Sequence, residues 1–217
     1  MPTPKDVYYA KRLEDLAEAL RGNHFKAHVV PDLAAARALV LETILPESGA
    51  KSVAYGGSAT LVASGLPEAL AQRPDIAVLD TLDKTLTPAE AYERRRQALL
   101  ADLFLTGTNA VTEDGVLVNL DMIGNRACAI AFGPRQVVVL VGRNKLVPDL
   151  TSAVRRIKEF AAPANAIRLS KKTPCTASAR CEDCGSPERI CNVWTITEKS
   201  FPRGRITVIC VNEDLGL

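Results

Sequence analysis

The chain has 217 residues, 47% of them hydrophobic, which suffices for one buried core of the size found in single α/β domains. Its 27 lysine and arginine residues nearly balance 25 aspartate and glutamate residues, so it lacks the positive charge with which proteins hold nucleic acid. Its apolar runs are far shorter than the roughly 20 residues that span a bilayer, and no signal-peptide apolar segment follows the N-terminus. We therefore expect a cytoplasmic protein with reduced cysteines and neither a nucleic-acid nor a membrane partner.

The first half of the chain alternates predicted helices and strands. Apolar residues on one face predict a helix over residues 6–21, and Asp32 is placed to cap a second helix over residues 33–45. Short apolar runs predict strands at residues 27–30, 52–55, 76–79 and 103–105, and residues 88–100 have the composition of a helix. This alternation predicts a largely parallel sheet that is covered on both faces.

The second half contains short apolar runs that are separated by glycines. The runs at residues 110–111, 116–118, 127–132 and 137–141 predict strands, and Glu113-Asp114-Gly115 predicts a hairpin turn between the first two. A helix is predicted over residues 150–161, and the β-branched run at residues 206–211 predicts a strand that rejoins the sheet. We thus predict one α/β domain over residues 1–217, within which residues 170–196 are too poor in aliphatic side chains to build a core.

Four of the six cysteines lie in this polar segment, with the spacing C-x5-C-x2-C-x6-C. Cys181 and Cys184 have the spacing with which one turn donates two thiolates to an ion, and Cys175 and Cys191 complete a set of four. Such a set suits either a zinc ion or an iron–sulfur cluster, and the spacing does not choose between them. The alternative, reduced cysteines in a loop or two disulfides, gives the polar segment little reason to fold. Two further cysteines lie in apolar runs and are interpreted as buried strand residues: Cys128 and Cys210.

Polar residues follow several predicted strands, at the edge where open α/β sheets bind ligands. A glycine turn after a strand lets a ligand approach the backbone and the free N–H groups of the next helix, although such a turn is often only a turn. Arg126 and Lys145 suit a carboxylate or phosphate, and Glu113 or Asp121 suits a base, with turn or capping roles as the alternative for each acid. The candidate ligand-binding residues are Gly56, Gly57, Ser58, Thr108, Asn109, Glu113, Asn119, Asp121, Asn125, Arg126, Asn144 and Lys145.

Longer motifs resemble a known family. The sequence TGTNAVTEDG at residues 106–115 is followed by LVN at 117–119 and GNR at 124–126, and GRNK and VNEDLG follow at 142–145 and 211–216. This ordered pattern resembles the LUD family of lactate-utilisation (LutC-like) proteins over nearly the whole chain. The block at residues 174–192 is identified as belonging to a cysteine-containing branch of that family, which departs from the LutC pattern.

The resemblance implies a NagB/RpiA/CoA-transferase-like fold, a mostly parallel sheet flanked by helices, to which this chain adds the cysteine-rich loop segment. It also implies a link to lactate oxidation by a multi-protein, iron–sulfur-containing system, whose other subunits are candidate partners. Two functions remain open. One is an accessory or electron-transfer component with a small carboxylate or phosphate ligand. The other is a stand-alone enzyme that acts on a phosphorylated or acyl-activated small molecule and uses zinc as a structural ion.

Overall fold

The computed structural model describes residues 2–217. Its strands, numbered along the chain, are β1 (Lys26–Val30), β2 (Ser52–Tyr55), β3 (Ala77–Leu79), β4 (Leu103–Gly107), β5 (Ala110–Thr112), β6 (Leu117–Asp121), β7 (Gln136–Gly142), β8 (Leu146–Val147), β9 (Val193–Thr197) and β10 (Ile206–Val211). The main sheet has six parallel strands in the order β1-β10-β7-β4-β2-β3, and a smaller sheet has the order β8-β5-β6-β9. The predicted mostly parallel sheet is confirmed.

Helices flank the main sheet on both faces. They are α1 (Pro4–Gly22), α2 (Leu33–Ala38), α3 (Leu45–Ser48), α4 (Ala59–Ala63), α5 (Leu66–Ala71), α6 (Pro88–Gln97), α7 (Asn125–Ala131), α8 (Leu150–Arg156), α9 (Ala162–Arg168) and α10 (Pro174–Ser178). Within residues 2–217, no helix is both long enough and apolar enough to cross a membrane.

The centre of the main sheet is β7, which is buried from Val137 to Gly142. Val137, Val139 and Val141 enter the core under α1, and the alternate residues of the strand enter the core on the opposite face. Because both faces are covered, the strand is a continuous β-branched and leucine run and does not alternate with polar residues. Because every pair of neighbouring strands is parallel, all six strands end at the same edge of the sheet, which we call the carboxyl edge.

The smaller sheet begins with the predicted hairpin, which is confirmed. Ala110 of β5 pairs with Val118 of β6, and Gly115 turns the chain with a φ of 84°, a left-handed value that favours glycine. On its other edge β6 pairs antiparallel with β9, which follows the cysteine-rich segment. The smaller sheet thus joins the end of that segment to the loops at the carboxyl edge.

Two helical stretches each contain a π-helical turn before a proline. The turns are Leu39–Ile44, between α2 and α3, and Ile157–Ala161, between α8 and α9. Pro46 and Pro163 then occupy the first turn of the following α-helix. Proline has no N–H group and its ring clashes with the carbonyl four residues earlier, so the wider π-turn lets each helix continue through the proline. The predicted cap is confirmed as well, since Asp32 accepts from the Ala35 backbone nitrogen at 2.7 Å.

The strand predicted at residues 127–132 is wrong. Residues 127–131 belong to α7, which is rich in alanine and starts after Gly124, a residue in the left-handed conformation, and Phe132 follows the helix in an extended conformation. An apolar run this short fits either a strand or a buried helical face, and here the alanine content and the packing against β6 and β9 favour the helix. Cys128 is consequently an exposed helix residue, whereas Cys210 is buried in β10 as predicted.

Replacing Leu105 with alanine tests the buried centre of the main sheet. Leu105 lies in β4 and is 0% exposed, so Leu105→Ala should lower the free energy of unfolding in urea by about 2–5 kcal/mol through lost burial and the remaining cavity. Leu100→Ala is the matched control, because Leu100 is 85% exposed and its truncation should leave the unfolding midpoint nearly unchanged. Equal losses in the two variants would contradict this packing.

Candidate functional site

Glycine loops pack closely together at the carboxyl edge. A β-carbon at Gly107, the last residue of β4, would lie 2.5 Å from Ser58 Oγ, and one at Gly56, directly after β2, would lie 2.6 Å from Arg126 Cγ. Both positions therefore accept only glycine without a local shift, because the loop after β2 lies against β4 and the start of α7. This approach brings the predicted residues Gly56, Ser58 and Arg126 together, while Gly57 is exposed.

Arg126 is held by acceptors from the loop after β4 and from β6. Its Nε donates to Asp121 Oδ1 at 2.6 Å, and its Nη2 donates to Asn109 Oδ1 at 3.3 Å and to the Leu120 carbonyl oxygen at 3.2 Å. The Arg126 and Asp121 side chains are 14% and 4% exposed, so the ion pair is largely shielded from water. Asp121 also accepts from the Ala127 backbone nitrogen at 2.8 Å, which fixes the start of α7.

Lys145, just after β7, is a buried amine that is 4% exposed. Its Nζ donates to Thr60 Oγ1 at 3.0 Å, and a β-carbon at Gly216 would lie 3.4 Å from the same nitrogen. Within residues 2–217, no carboxylate forms an ion pair with it. Burial, followed by the positive charges of Arg156 and Arg126, lowers the pKa of Lys145 from 10.5 to about 7.

Arg156 completes this group and is missed by sequence analysis. It extends from α8, and its Nε and Nη1 donate to the carbonyl oxygens of Asn144 at 3.2 Å and Asn109 at 2.7 Å. Burial lowers the pKa of Arg156. The sequence feature that could have indicated a partly buried arginine is its helical spacing. Arg156 lies beside the buried positions Ala153 and Ile157, at the edge of the inner face of the helix. No local motif distinguishes it from a solvated arginine.

We call Arg126, Lys145 and Arg156 the cationic cluster. The three side chains come from α7, the turn after β7, and α8, and Asp121 is the one carboxylate that pairs with any of them within residues 2–217. The partly buried cluster therefore carries more positive than negative charge. Such an arrangement is suited to a small anion, whose carboxylate or phosphate oxygens accept charge-assisted hydrogen bonds.

Two of the predicted pocket residues serve the surrounding structure. Glu113 lies in the exposed hairpin turn and pairs with Arg12 of α1, away from the cationic cluster. Thr108 is buried, and its single O–H group lies within hydrogen-bonding distance of two acceptors, the carbonyl oxygens of Ala110 at 3.0 Å and Val118 at 3.2 Å, which connects β4 to the smaller sheet.

The predicted asparagines occupy different environments. Asn119 is fully buried in β6 opposite Thr195 of β9, and neither its Oδ1 nor its Nδ2 has a hydrogen-bond partner within residues 2–217. Asn144 Oδ1 accepts from the Leu215 backbone nitrogen at 2.9 Å, which holds the C-terminal residues over the cluster. Asn125 is half-buried at the start of α7.

The four clustered cysteines all line one cavity, which we call the cysteine cavity. Cys175 belongs to α10, Cys181 and Cys184 lie in the following loop, and Cys191 lies shortly before β9. The start of α9 forms part of the wall. All six cysteines are free thiols, so the two-disulfide alternative is not formed. Within residues 2–217, no three His, Cys, Asp or Glu side chains form a ready metal-ligand group, and a metal here stays a prediction.

Two positively charged side chains lie beside the cysteine cavity. Asp183 Oδ1 accepts from Lys158 Nζ and from Arg189 Nη2, each at 3.0 Å. Arg189 also donates to the carbonyl oxygens of Cys184 at 2.7 Å and Cys191 at 3.0 Å, so one side chain holds the backbone of two of the four cysteines. Burial raises the pKa of the Cys191 thiol, while the charges of Arg189 and Lys158 act in the opposite direction.

Comparisons with known proteins place the chain in a family. No curated protein matches the sequence. The fold is similar to the crystal structure of a DUF162 family protein from Deinococcus radiodurans, with a TM-score of 0.51 and 18% identity over 97% of this chain and 99% of that one. The family model for the LUD domain matches residues 13–211, and the chain therefore belongs to the LUD domain family.

Proposed function

We propose that this LUD-domain protein is an accessory or electron-transfer component in the oxidation of lactate or another 2-hydroxy acid. In this proposal the cysteine cavity holds a metal centre and the cationic cluster binds a small carboxylate. The association of the family with lactate utilisation supports the substrate class. The observation that carries the proposal is that Cys175, Cys181, Cys184 and Cys191, the full predicted ligand set, line a single cavity.

A metal would help the segment around these cysteines to fold. Most of residues 170–190 are exposed or half-buried, and Ile190, at 8% exposure, is the buried apolar side chain of that stretch. A segment with so little apolar burial gains order from an ion held by four thiolates. Four thiolates around one centre also carry net negative charge, and the adjacent Lys158 and Arg189, which share the single carboxylate of Asp183, offset part of it.

Electron transfer requires iron at this position. An iron–sulfur cluster supplies one-electron chemistry when it is bound by four cysteines, and charges and hydrogen bonds around the sulfurs set its potential. In this chain Arg189 would add a positive charge beside the sulfurs, and it holds the backbone carbonyl oxygens of Cys184 and Cys191 in place. Free thiols of this kind suit a reducing compartment, so we also propose a cytoplasmic location and partner subunits of a lactate-oxidising system.

The cationic cluster favours a second candidate function. A stand-alone enzyme that acts on a phosphorylated or acyl-activated small molecule would use the same cations for its substrate, with zinc as a structural ion in the cysteine cavity. The buried amine of Lys145 favours this candidate, since amines of lowered pKa are frequent in active sites. Iron with acid-labile sulfide and visible absorption would select electron transfer. A colourless zinc protein that binds sugar phosphates would select the enzyme.

Metal analysis of cysteine variants tests the cavity. Protein purified without oxygen should contain zinc, or iron with acid-labile sulfide, and Cys184→Ser should lose most of that metal because four thiolate ligands are reduced to three. Cys128→Ser is the matched control and should keep the wild-type content, because Cys128 is exposed and outside the cavity. Folded wild-type protein without metal, or equal content in both variants, would reject the metal centre.

Calorimetric titration tests the anion site. Arg126→Ala and Lys145→Ala should each weaken binding of lactate, pyruvate or phosphate by about 1.5–3 kcal/mol, the worth of a charged hydrogen bond. Arg135→Ala removes a positive charge from a side chain that is 83% exposed and should leave the affinity unchanged. Unaltered binding by both cluster variants, with circular dichroism showing intact folds, would discard their assignment.

The pH dependence of stability tests the buried amine. Between pH 7 and about 10.5 the unfolded chain holds a proton on Lys145 that the folded chain lacks, so the free energy of unfolding should rise with pH by up to about 1.4 kcal/mol per unit from this group. Below pH 7 both states are protonated and the group contributes no slope. Lys145→Met should remove the rise, whereas Lys172→Met, at an exposed lysine, should keep it. Parallel pH profiles for wild type and Lys145→Met in urea unfolding would refute the lowered pKa.

A further inference from the structure

Lys145 lacks the partners that a structural buried lysine needs. An ammonium group has three N–H donors, yet Nζ donates to one acceptor, Thr60 Oγ1, and within residues 2–217 it forms no ion pair. A charged group in that position is unfavourable, and a methionine of similar length would fill the space without this penalty. The position is therefore better explained by a ligand that uses the amine.

The neighbouring guanidinium groups indicate which ligand fits. Arg156 uses Nε and Nη1 on the Asn109 and Asn144 carbonyl oxygens, which fixes its plane and leaves Nη2 without an acceptor within residues 2–217. Arg126 and Arg156 both favour the uncharged form of the amine. A neutral amine is a nucleophile toward carbonyl carbon, and a fixed guanidinium binds a carboxylate. A ligand with a keto group next to a carboxylate uses both.

We propose that Lys145 forms an imine with the keto group of a small 2-oxo acid whose carboxylate is bound by Arg156. The inference rests on the proposed function, in which oxidation of a 2-hydroxy acid yields this class of compound. Nζ attacks the keto carbon, a C–N bond forms, and the carbonyl oxygen takes up a proton. Loss of water then gives the C=N bond, so the two amine hydrogens leave with the former keto oxygen. No oxidant or reductant takes part.

The backbone of Gly216 lies directly against the amine. A β-carbon at Gly216 would lie 2.8 Å from Thr60 Oγ1 as well as close to Nζ, and its φ of 61° also favours glycine. Asn144 holds this segment in place through the backbone nitrogen and carbonyl oxygen of Leu215, at 2.9 Å and 3.4 Å. A 2-oxo acid reaches Nζ when residues 215–217 move aside, which requires breaking two hydrogen bonds and exposing Leu215.

Reductive trapping with peptide mapping tests the imine. Full-length protein is incubated near pH 7 with pyruvate and sodium cyanoborohydride, and modified lysines are located by mass spectrometry. The reduced adduct should lie on Lys145, with occupancy at least about tenfold above that of the exposed Lys172, because binding of the carboxylate by Arg156 holds the keto group at Nζ of Lys145. Lys145→Met should lose the adduct, and Lys172→Met should retain it.

Calorimetry with lactate separates this inference from the proposed function, because lactate has the carboxylate but no keto group. If lactate and pyruvate bind to the cationic cluster but Lys145 is not trapped, the imine is refuted and the anion site stands. If neither compound binds, the anion site fails and the imine fails with it. Modification of exposed lysines alone also overturns the imine. Mapping of the wild-type protein decides the question even if Lys145→Met does not fold.

Discussion

Parallel pairing of β4 and β7 between β2 and β10 is the constraint on which the cationic cluster depends. Parallel strands end at one edge, so the loops after β2, β4 and β7 meet there and leave no room for a β-carbon at Gly56 or Gly107. The close contacts of Gly56 with Arg126 and of Gly107 with Ser58 show how tightly these loops pack. Side chains far apart in the chain are thereby brought into one partly buried group, whose charges are no longer screened by water.

Excess positive charge is the main electrostatic feature of that group. Asp121 neutralises Arg126, but Arg156 is bound by carbonyl oxygens and Lys145 by a hydroxyl group. Burial disfavours the charged forms of these side chains, and the neighbouring groups of the protein only partly replace the lost hydration. A bound anion would supply the missing charge, which is why the cationic cluster is more readily understood as a ligand site than as a stabilising element.

The cysteine cavity and the cationic cluster are connected through β6 and β9. Cys191 is followed by Asn192, whose backbone nitrogen donates to the Asp121 carbonyl oxygen at 2.9 Å, and β9 then pairs with β6 along its whole length. The Asp121 carboxylate at the end of β6 holds Arg126 and the first turn of α7. Order imposed on the cysteine-rich segment by a metal would therefore extend to the residue that positions Arg126. This continuity would link the proposed metal centre to the proposed anion site.

Much of this architecture could be predicted from the sequence. Residue patterns alone determined the α/β class, the hairpin at Gly115, the cap at Asp32 and the cysteines as a group, because periodicity, turn chemistry and spacing are local properties. The family followed from the resemblance of the ordered motifs to known proteins. Only the tertiary structure decided that residues 127–131 form a helix. A run of apolar residues this short fits the periodicity of a strand as well as that of a helix, and the packing against neighbouring elements decides between them. The tertiary structure also paired Glu113 with Arg12 of α1, away from the cationic cluster, and brought Arg156 to Lys145. Those outcomes depend on which distant segments pack together and on the burial that results, and no local pattern of residues encodes either one.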